Sequence, residues 1–373
     1  MPREADVVEV EGLRLYTLPA ALTACSPTYF ARSPTDVRAA LLMVHDASEV
    51  LDRLLEGGHS TIAGRLAGAF CNIGRERIAD ELVAAMRVAG YAVRVADPFA
   101  TPTPVPLSPR ERSPWVNRIR LLWQEMRAPL LDHFPAAPGM DGEPEAYLRR
   151  VGEIYANDAY HSLSIEGYRV DPELVERVRT GNWNPDTRAA DREQRNALAA
   201  RGYWQAFQSV KESIRQVLQG RNSGEVADAD HATWYRELFA PSVMAGLLRP
   251  TDLAGYRVGP VYIRRSMHMP PDPEAVRDAM PALFDLLRSE TEPAVRVVLG
   301  HFFFVYLHPY VDGNGRMARF LMNVMLAAGG WPWTVIPVER REEYMAALEE
   351  ASVRHNIVVF AELLAALIDK QEG

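Results

Sequence analysis

The sequence predicts a mainly α-helical protein with two parts, and three observations lead to this fold class. Apolar residues recur at three- and four-residue spacing through most of the chain, which is the period of helices with a buried face. Branched and aromatic residues around a Gly259-Pro260 turn give a strand signal at 256–267. Six prolines between 98 and 114 favour an extended linker between the two parts.

The composition excludes several classes of protein. The chain has 373 residues, 48% of them hydrophobic and 24% charged, so disorder is excluded as its overall state. A net charge of −8 argues against a chain-wide polyanion binder but leaves room for a local basic site. Only two of the 41 basic residues are lysines, so cationic sites rely on the planar, forked guanidinium of arginine.

Signals for membranes, secretion and metal clusters are missing from the sequence. The two cysteines, Cys25 and Cys71, suit a reducing compartment. The first six residues carry acids and no apolar core, so we expect no signal peptide. The longest apolar stretches, 302–307 and 357–368, are too short or are interrupted by Glu362. We therefore expect a cytoplasmic protein without a membrane partner.

Residues 1–97 are predicted to form a small, mostly helical N-terminal domain. The predicted elements are helices at 37–55 and 78–88 and a strand at 90–95. The span 60–91 would also fit a helix-turn-helix in which Arg65, Arg75 and Arg77 contact phosphates. Neighbouring acids cancel these charges, which favours a protein-contact or packing module over DNA binding.

Residues 115–373, beyond the linker at 98–114, are predicted to be helical almost throughout. A short helix begins near Trp115 and is followed by a soft loop at 135–144. The later helices are predicted, in chain order, at 147–165, 187–218, 233–248, 273–289, 293–307, 315–328 and 342–368. Gly167 is expected to end the first of these in the left-handed conformation.

The segment 308–319 joins two of these helices through a glycine-containing loop. It reads His-Pro-Tyr-Val-Asp-Gly-Asn-Gly-Arg-Met-Ala-Arg. Gly313 and Gly315 allow backbone N–H groups to turn toward one point, and the following helix adds the positive end of its dipole. Such a loop is suited to binding a phosphate.

Charged side chains in the same segment complete a site for phosphate chemistry. Asp312 offers a hard oxygen ligand for magnesium, which usually stays bridged to phosphates. Arg316 and Arg319 lie three residues apart, hence on one helix face, and both can donate to phosphate oxygens. His308 has the ordinary pKa of a group that can take a proton from an attacking hydroxyl.

The segment resembles the signature of the Fic-domain family, His-x-Phe-x-Asp/Glu-Gly-Asn-Gly-Arg-x-x-Arg. It differs at Tyr310, where the family has phenylalanine. The resemblance extends over roughly 145–365 and implies a Fic-type helical core with a β-hairpin flap at about 256–268. In this flap, the residues that would dock a target protein are Arg265, Ser266, Met267 and His268.

The resemblance implies the transfer of AMP from ATP to a Ser, Thr or Tyr hydroxyl of a target protein, with release of pyrophosphate. His308 would then be the general base, and Asp312 would hold Mg²⁺ across the α- and β-phosphates. The residues that would bind the nucleotide are Gly313, Asn314, Gly315, Arg316 and Arg319 at the phosphates and Asn323 and Tyr344 at the adenosine end.

The helix at about 147–167 resembles the inhibitory helix of the same family. Its pattern is Ser162-x-x-x-Glu166-Gly167, placed before the active-site motif in the same chain. A carboxylate at this helix end could pair with Arg319, where the γ-phosphate would otherwise bind. The resemblance therefore implies an autoinhibited enzyme.

Other interpretations stay open at this point. The glycine at position 315 favours nucleotidyl transfer over the kinase-like branch of the family, which has lysine there. The donor could still be a nucleotide other than ATP, and Glu166 could also support the removal of AMP. A DNA- or partner-binding regulator that uses the core as a nucleotide sensor is the alternative from another class. A homodimer is equally compatible with the sequence.

Overall fold

The computed structural model describes residues 3–10, 12–99, 113–139, 143–181, 195–253 and 255–372. It divides into two compact units, Met1–Glu125 and Met126–Gly373. Most of the predicted linker, 100–112, lies outside the described residues. The mainly α-helical fold class is confirmed.

The first unit consists of one β-hairpin and a group of short helices. The strands β1 (Val7–Val10) and β2 (Leu13–Tyr16) are antiparallel, with Val7 opposite Tyr16. The helices of this unit are α1 (Leu18–Ala24), α2 (Pro27–Arg32), α3 (Pro34–Leu42), α4 (Ser48–Glu56), α5 (Ser60–Asn72) and α6 (Glu76–Val88), followed by the first part of α7 (Pro114–Leu131). Their apolar faces form one core that includes Phe30, Leu66 and Phe70.

Two predictions for the first unit are wrong. The helix expected at 37–55 is divided into α3 and α4, and the strand expected at 90–95 is irregular. The hairpin at 7–16 was missed because its side chains are largely exposed on both faces, so no apolar alternation marks it. The segment 91–97 instead lies across α5, where added Cβ atoms on Gly64 and Gly68 would be 2.0 and 2.2 Å from its carbonyl oxygens.

Helices α5 and α6 form a helical hairpin in the span predicted as a helix-turn-helix. Two of its three candidate phosphate ligands are engaged within the unit. Arg65 donates to the carbonyl of Cys25 at 2.7 Å, and Arg75 donates to the carbonyls of Leu42 and Val44. Arg77 pairs with Glu81 on the exposed face of α6. These contacts favour a packing role, and DNA binding gains no support from them.

The second unit is a helical bundle built around two buried helices. After the end of α7 come α8 (Pro144–Ile165), α9 (Pro172–Arg179), α10 (Arg195–Leu218), α11 (Ser223–Met244), α12 (Pro273–Ser289), α13 (Pro293–Leu307), α14 (Asn314–Gly329), α15 (Arg341–Arg354) and α16 (Val358–Glu372). Helix α13 is apolar on all sides, and α14 packs against α13, α10 and α11. The loop between α13 and α14 carries the motif.

Several helix boundaries of the second unit match the sequence prediction and two do not. The helix expected at 233–248 is α11, which begins earlier, at Ser223, and ends at Met244. The bounds of α12 and α13 agree with the expected 273–289 and 293–307. The helix expected at 342–368 is divided into α15 and α16 at His355, whose φ is 58°. The first residues of the helix expected from 187 lie outside the described residues. Among the helices that the structure describes, none is both long and apolar enough to cross a bilayer.

The hairpin expected at 256–268 is not a β-hairpin in the structure. We define residues 256–271 as the flap segment; it is irregular and turns at Arg264 and Arg265, where the φ of Arg265 is 64°. Its polar groups bond to the helices rather than across a strand pair: Ser266 Oγ donates to Glu349 on α15 at 2.5 Å. Of the described residues, only β1 and β2 form a sheet.

Candidate active site

His308 ends α13 in the left-handed conformation, with a φ of 48°. Its N–H donates to the carbonyl of Phe304 at 3.1 Å, and its imidazole Nδ1 is buried with no hydrogen-bond partner among the described residues. Burial, with a smaller effect of the Arg257 guanidinium, lowers the pKa of His308 to about 4. The imidazole is therefore neutral at pH 7, as a general base requires.

The loop after His308 is held by the side chain of Asn314. This buried amide accepts a hydrogen bond from the Tyr310 N–H at 2.9 Å and donates to the Tyr310 carbonyl at 2.8 Å. Gly313 has a φ of 86°, and a Cβ there would lie 2.8 Å from the Phe239 ring, so the turn needs glycine. The structure thus uses Asn314 to shape the loop, and its contact with phosphates stays a prediction.

Tyr310 replaces the phenylalanine of the family signature without disturbing the loop. Its ring is buried and stacks on Tyr235, with centroids 3.7 Å apart and planes 6° from parallel. The extra hydroxyl is therefore accommodated beneath the motif.

Arg316 and Asp312 lie together at the mouth of the loop. Arg316 is only 1% exposed in its side chain, and its Nη2 donates to Asp312 Oδ2 at 3.3 Å. Its guanidinium packs 5.1 Å from the ring centres of Tyr168 and Phe239, while its Nε has no partner among the described residues. Sequence reasoning missed both rings, because no spacing along the chain connects them with the motif.

The side chain of Arg319 donates hydrogen bonds to the end of α8, where the sequence has the inhibitory pattern. Its Nε donates to Ser162 Oγ at 2.9 Å, and its Nη2 donates to the Ser162 carbonyl at 3.0 Å and to Glu166 Oε1 at 2.8 Å. Burial acts against its charge, but the Glu166 carboxylate keeps the pKa of Arg319 above its ordinary value. Its Nη1 is buried and has no partner among the described residues.

The Glu166 carboxylate also lies against the N-terminus of α14. A Cβ added to Gly315 would be 2.3 Å from Glu166 Oε1, so the carboxylate occupies the space that this glycine leaves. Gly167 follows in the left-handed conformation at a φ of 85°, and the Tyr168 N–H returns to the Leu163 carbonyl at 3.1 Å. The helix end is therefore fixed where a phosphate would approach the loop.

Further contacts on α8 hold this helix in place. Asp158, one turn before Ser162, accepts hydrogen bonds from the Tyr203 hydroxyl at 2.6 Å and the Trp333 indole at 3.0 Å. Arg341 donates to the carbonyl of Ile165 at 2.7 Å. Sequence analysis did not single out Asp158, since a lone carboxylate on a predicted helix gives no sign of burial.

Burial raises the pKa of Asp158 to about 6, which predicts a specific pH dependence of stability. Because this value lies above the unfolded pKa of about 3.9, the contribution of Asp158 is complete below pH 4 and is lost as the pH rises through about 6. We expect the stability advantage of the wild type over Asp158→Asn to fall by about 2 kcal/mol from pH 4 to pH 7 in urea unfolding. An advantage that is equal at both pH values would contradict this.

Asn323 and Tyr344, expected at the adenosine end, are both buried. The Asn323 amide donates to the carbonyls of Arg319 and Thr334, each at 3.1 Å, and accepts from the Thr334 N–H at 2.8 Å. The Tyr344 hydroxyl lies 2.9 Å from Nε2 of His301, which is fully buried. These contacts hold the 331–336 segment and α15 to the core, and contact with adenosine stays a prediction.

Of the four flap residues singled out in the sequence, all but Met267 line a cavity of about 470 Å³ between the flap segment and α15. The N–H of Met267 donates to Glu349 at 2.8 Å, while its side chain is 81% exposed. His268 Nε2 lies 2.8 Å from the Tyr306 carbonyl. Arg265 and Ser266 line the cavity. The flap segment thus presents the Met267 side chain to solvent, while the Met267 backbone bonds to α15 and the His268 side chain lies within hydrogen-bond distance of α13.

The described residues fit a magnesium ion held largely by a nucleotide. They contain no cluster of three or more His, Cys, Asp or Glu side chains that could hold a metal by themselves. Asp312 presents a carboxylate, 55% exposed, at the edge of the loop. One carboxylate plus phosphate oxygens is a common donor set for magnesium.

Comparisons with known proteins agree with the motif and the fold. Residues 228–326 match the model of the Fic/DOC family. "Protein adenylyltransferase fic-1" of Caenorhabditis elegans is 35% identical over 215 residues, which is 56% of this chain and 39% of that protein. "Protein adenylyltransferase Fic" of Drosophila willistoni is 29% identical over 233 residues, 61% of this chain and 43% of that protein. The chain thus spans less than half the length of these curated relatives.

A solved structure shares the fold. Fic-1 (residues 134–508) from C. elegans superposes with a TM-score of 0.50 at 17% identity, covering 92% of this chain and 96% of that one. The motif, its loop geometry and the match at 228–326 fall in the same helical unit. The helical unit therefore contains a region, residues 228–326, that is similar to the Fic/DOC family.

Proposed function

We propose that this chain is an autoinhibited protein adenylyltransferase, which transfers AMP from ATP to a Ser, Thr or Tyr hydroxyl of a target protein. The observation that carries the proposal is the set of buried donors around the glycine loop. Arg316 Nε and Arg319 Nη1 have no partner among the described residues, and both lie on α14 beside a neutral His308. The names of the curated relatives support the same reaction.

His308 is the general base of the proposed reaction. Its neutral imidazole takes the proton of the target hydroxyl as the oxygen attacks the α-phosphorus, and the bond to the pyrophosphate leaving group breaks. The low pKa of His308 makes the imidazole a weaker proton acceptor than one with a pKa near 7. It also keeps the neutral, base form populated throughout the physiological pH range. The products are an AMP ester on the target and pyrophosphate.

Phosphate binding is assigned to the loop and to two arginines of α14. The N-terminal N–H groups of α14 and the guanidiniums of Arg316 and Arg319 supply positive charge at one point. Asp312 would hold Mg²⁺ together with the nucleotide; the ion neutralises phosphate charge and orients the phosphates. The Tyr168 and Phe239 rings fix the plane of the Arg316 guanidinium, so its donors are oriented in advance.

Inhibition is assigned to the Glu166 carboxylate. It pairs with Arg319 and fills the space beside Gly315, so a γ-phosphate cannot use the same guanidinium donor. ATP bound under these conditions would place its α-phosphate away from His308. The resting chain is therefore expected to turn over slowly.

The flap segment is assigned to the docking of the target protein. This segment and the motif loop carry five exposed apolar side chains; they are Val258, Tyr262, Met267, Met269 and Val311. Arg264 and Arg265 add positive charge at the turn. Because charges of opposite sign attract, a target segment with apolar and acidic residues around its hydroxyl would fit this surface.

A donor panel tests the proposed function. Glu166→Gly is incubated with Mg²⁺ and, separately, ATP, GTP, UTP or CTP, and the chain and added lysate proteins are analysed by intact mass. We expect a mass increase of one AMP with ATP and release of pyrophosphate. An increase of one phosphate would indicate the kinase-like reaction, and labelling by another nucleotide alone would assign a different donor.

A further inference from the structure

Arg257 is a buried arginine at the start of the flap segment that sequence analysis did not single out. It is 2% exposed, and burial lowers the pKa of its guanidinium below the ordinary value. A buried cation is costly unless its donors are bonded. Its side-chain partners are three backbone carbonyls. Those carbonyls therefore indicate which parts of the chain it stabilises.

The contacts of Arg257 join both ends of the flap segment to the catalytic histidine. Its Nε donates to the His308 carbonyl at 2.8 Å, Nη1 to the Gly259 carbonyl at 3.1 Å, and Nη2 to the Pro271 carbonyl. Its own N–H donates to the Pro309 carbonyl at 2.9 Å. One side chain thus connects the two ends of the flap segment with the backbone of His308.

The His308 backbone is a place where such a connection matters. Its left-handed conformation is strained in a residue other than glycine. A hydrogen bond from a charged donor to the carbonyl of this residue stabilises that conformation. The orientation of this backbone determines where the imidazole points.

We propose that Arg257 is a positioning residue for the transfer reaction, holding the His308 backbone and the flap segment in one arrangement so that a docked hydroxyl meets the imidazole. This inference rests on the proposed transfer activity. The side-chain bonds of Arg257 reach neither the 312–315 turn nor α14, so its effect on ATP binding is small. Its effect falls on the rate of transfer.

The charges that face His308 support this role. Arg257 and His268 face it from the flap segment, and Glu166 faces it from α8. The Arg257 cation disfavours a protonated imidazole, whereas Glu166 favours one. Loss of the cation should therefore raise the pKa of His308, a change that a purely structural residue would not cause.

Three variants in the Glu166→Gly background test the proposal. Arg257→Lys keeps the charge without the forked donors, and Arg257→Met removes both. Arg127→Met is the matched control, because Arg127 is a partly buried arginine of the same unit that pairs with Glu290 away from the site. The readouts are labelling rate against ATP concentration, hydrogen exchange of 256–271, and the His308 pKa from the imidazole NMR signal that His308→Ala removes.

We expect Arg257→Met to lower the rate at saturating ATP by roughly 100-fold. The half-saturating ATP concentration should stay within about two-fold, while flap exchange accelerates and the His308 pKa rises. Arg257→Lys should leave the His308 pKa near that of the parent and recover only part of the rate. If Arg257→Met does not fold, Arg257→Lys tests the proposal through its labelling rate and the hydrogen exchange of 256–271.

Either of two results for Arg257→Met would overturn the proposal. In the first, the hydrogen exchange of the flap segment and the pKa of His308 both equal those of the parent. In the second, the labelling rate falls no more than it does in Arg127→Met. If the Glu166→Gly parent itself fails to label any protein, the transfer activity is refuted. Exchange and NMR then still decide whether Arg257 holds the flap segment and the histidine together.

Discussion

Replacing Glu166 with glycine should increase self-labelling by tagged ATP roughly 10- to 150-fold over the wild type. The variant removes a charge-assisted hydrogen bond of 2.8 Å between Glu166 and the buried Arg319. Bonds of this kind contribute about 1.5–3 kcal/mol, and each 1.4 kcal/mol corresponds to a factor of ten. With the carboxylate gone, Arg319 and the space beside Gly315 become available to the γ-phosphate. The measurement is the initial rate of label incorporation at saturating ATP and Mg²⁺.

The control for this prediction is Glu173→Gly, which removes an exposed carboxylate from the first turn of α9, outside the site. It should leave labelling at the wild-type level. Glu166→Gln, which keeps the size of the side chain but not its charge, should fall between wild type and Glu166→Gly. Equal labelling in wild type and Glu166→Gly would show that this carboxylate does not restrain the enzyme.

Replacing His308 with alanine in the Glu166→Gly background should lower the labelling rate by a factor of about 10²–10⁴. That is the typical contribution of a general base. The reason is the loss of the only proton acceptor that we assign to the target hydroxyl, while Arg316 and Arg319 still bind the phosphates. Label incorporation and pyrophosphate release should fall together, and binding of a fluorescent ATP analogue should persist.

His133→Ala is the matched control, because His133 pairs with Glu362 on the surface of the same unit. It should label at the parent rate. If His308→Ala and its parent labelled equally, the general-base assignment would be lost. Bound nucleotide without any labelling in the parent would favour the regulator that uses the Fic core as a sensor.

Much of the site could be predicted from sequence because its residues are adjacent along the chain. In the segment 308–319 a histidine, a carboxylate, two glycines and two arginines follow the end of one helix and begin another, so local geometry suffices to bring them together. The pairing of Arg319 with Glu166 spans 153 residues, and it was found only because the inhibitory pattern is itself a short motif.

What sequence reasoning missed depends on contacts between distant segments. Asp158 looks like a surface carboxylate on an amphipathic helix until Tyr203 and Trp333 cover it. Asn314 looks like a phosphate ligand until both of its amide groups bond to the Tyr310 backbone. A polar side chain bonds to the partners that the fold brings close to it. Spacing along the chain does not show which partners those are.

The flap segment shows the same limit for secondary structure. Branched and aromatic residues at 256–267 predict a strand pair, because their propensity reflects a half-buried pleated surface. In the structure the side chains of Arg257 and Glu349 bond to backbone groups that a strand ladder could use, the Gly259 carbonyl and the Met267 N–H. Side-chain competition for the backbone thus decided the conformation of this segment.

The sequence by itself determined the helical fold class, the active-site loop and the pattern that ends α8, because periodicity and short-range geometry are local properties. Only the tertiary structure decided that Glu166 lies against Gly315, that Tyr168 and Phe239 enclose Arg316, and that Arg257 bonds to the His308 carbonyl. These contacts depend on how α8, α11 and the flap segment pack around α13 and α14. That packing is set by burial of the whole apolar core, and no single motif is sufficient to determine it.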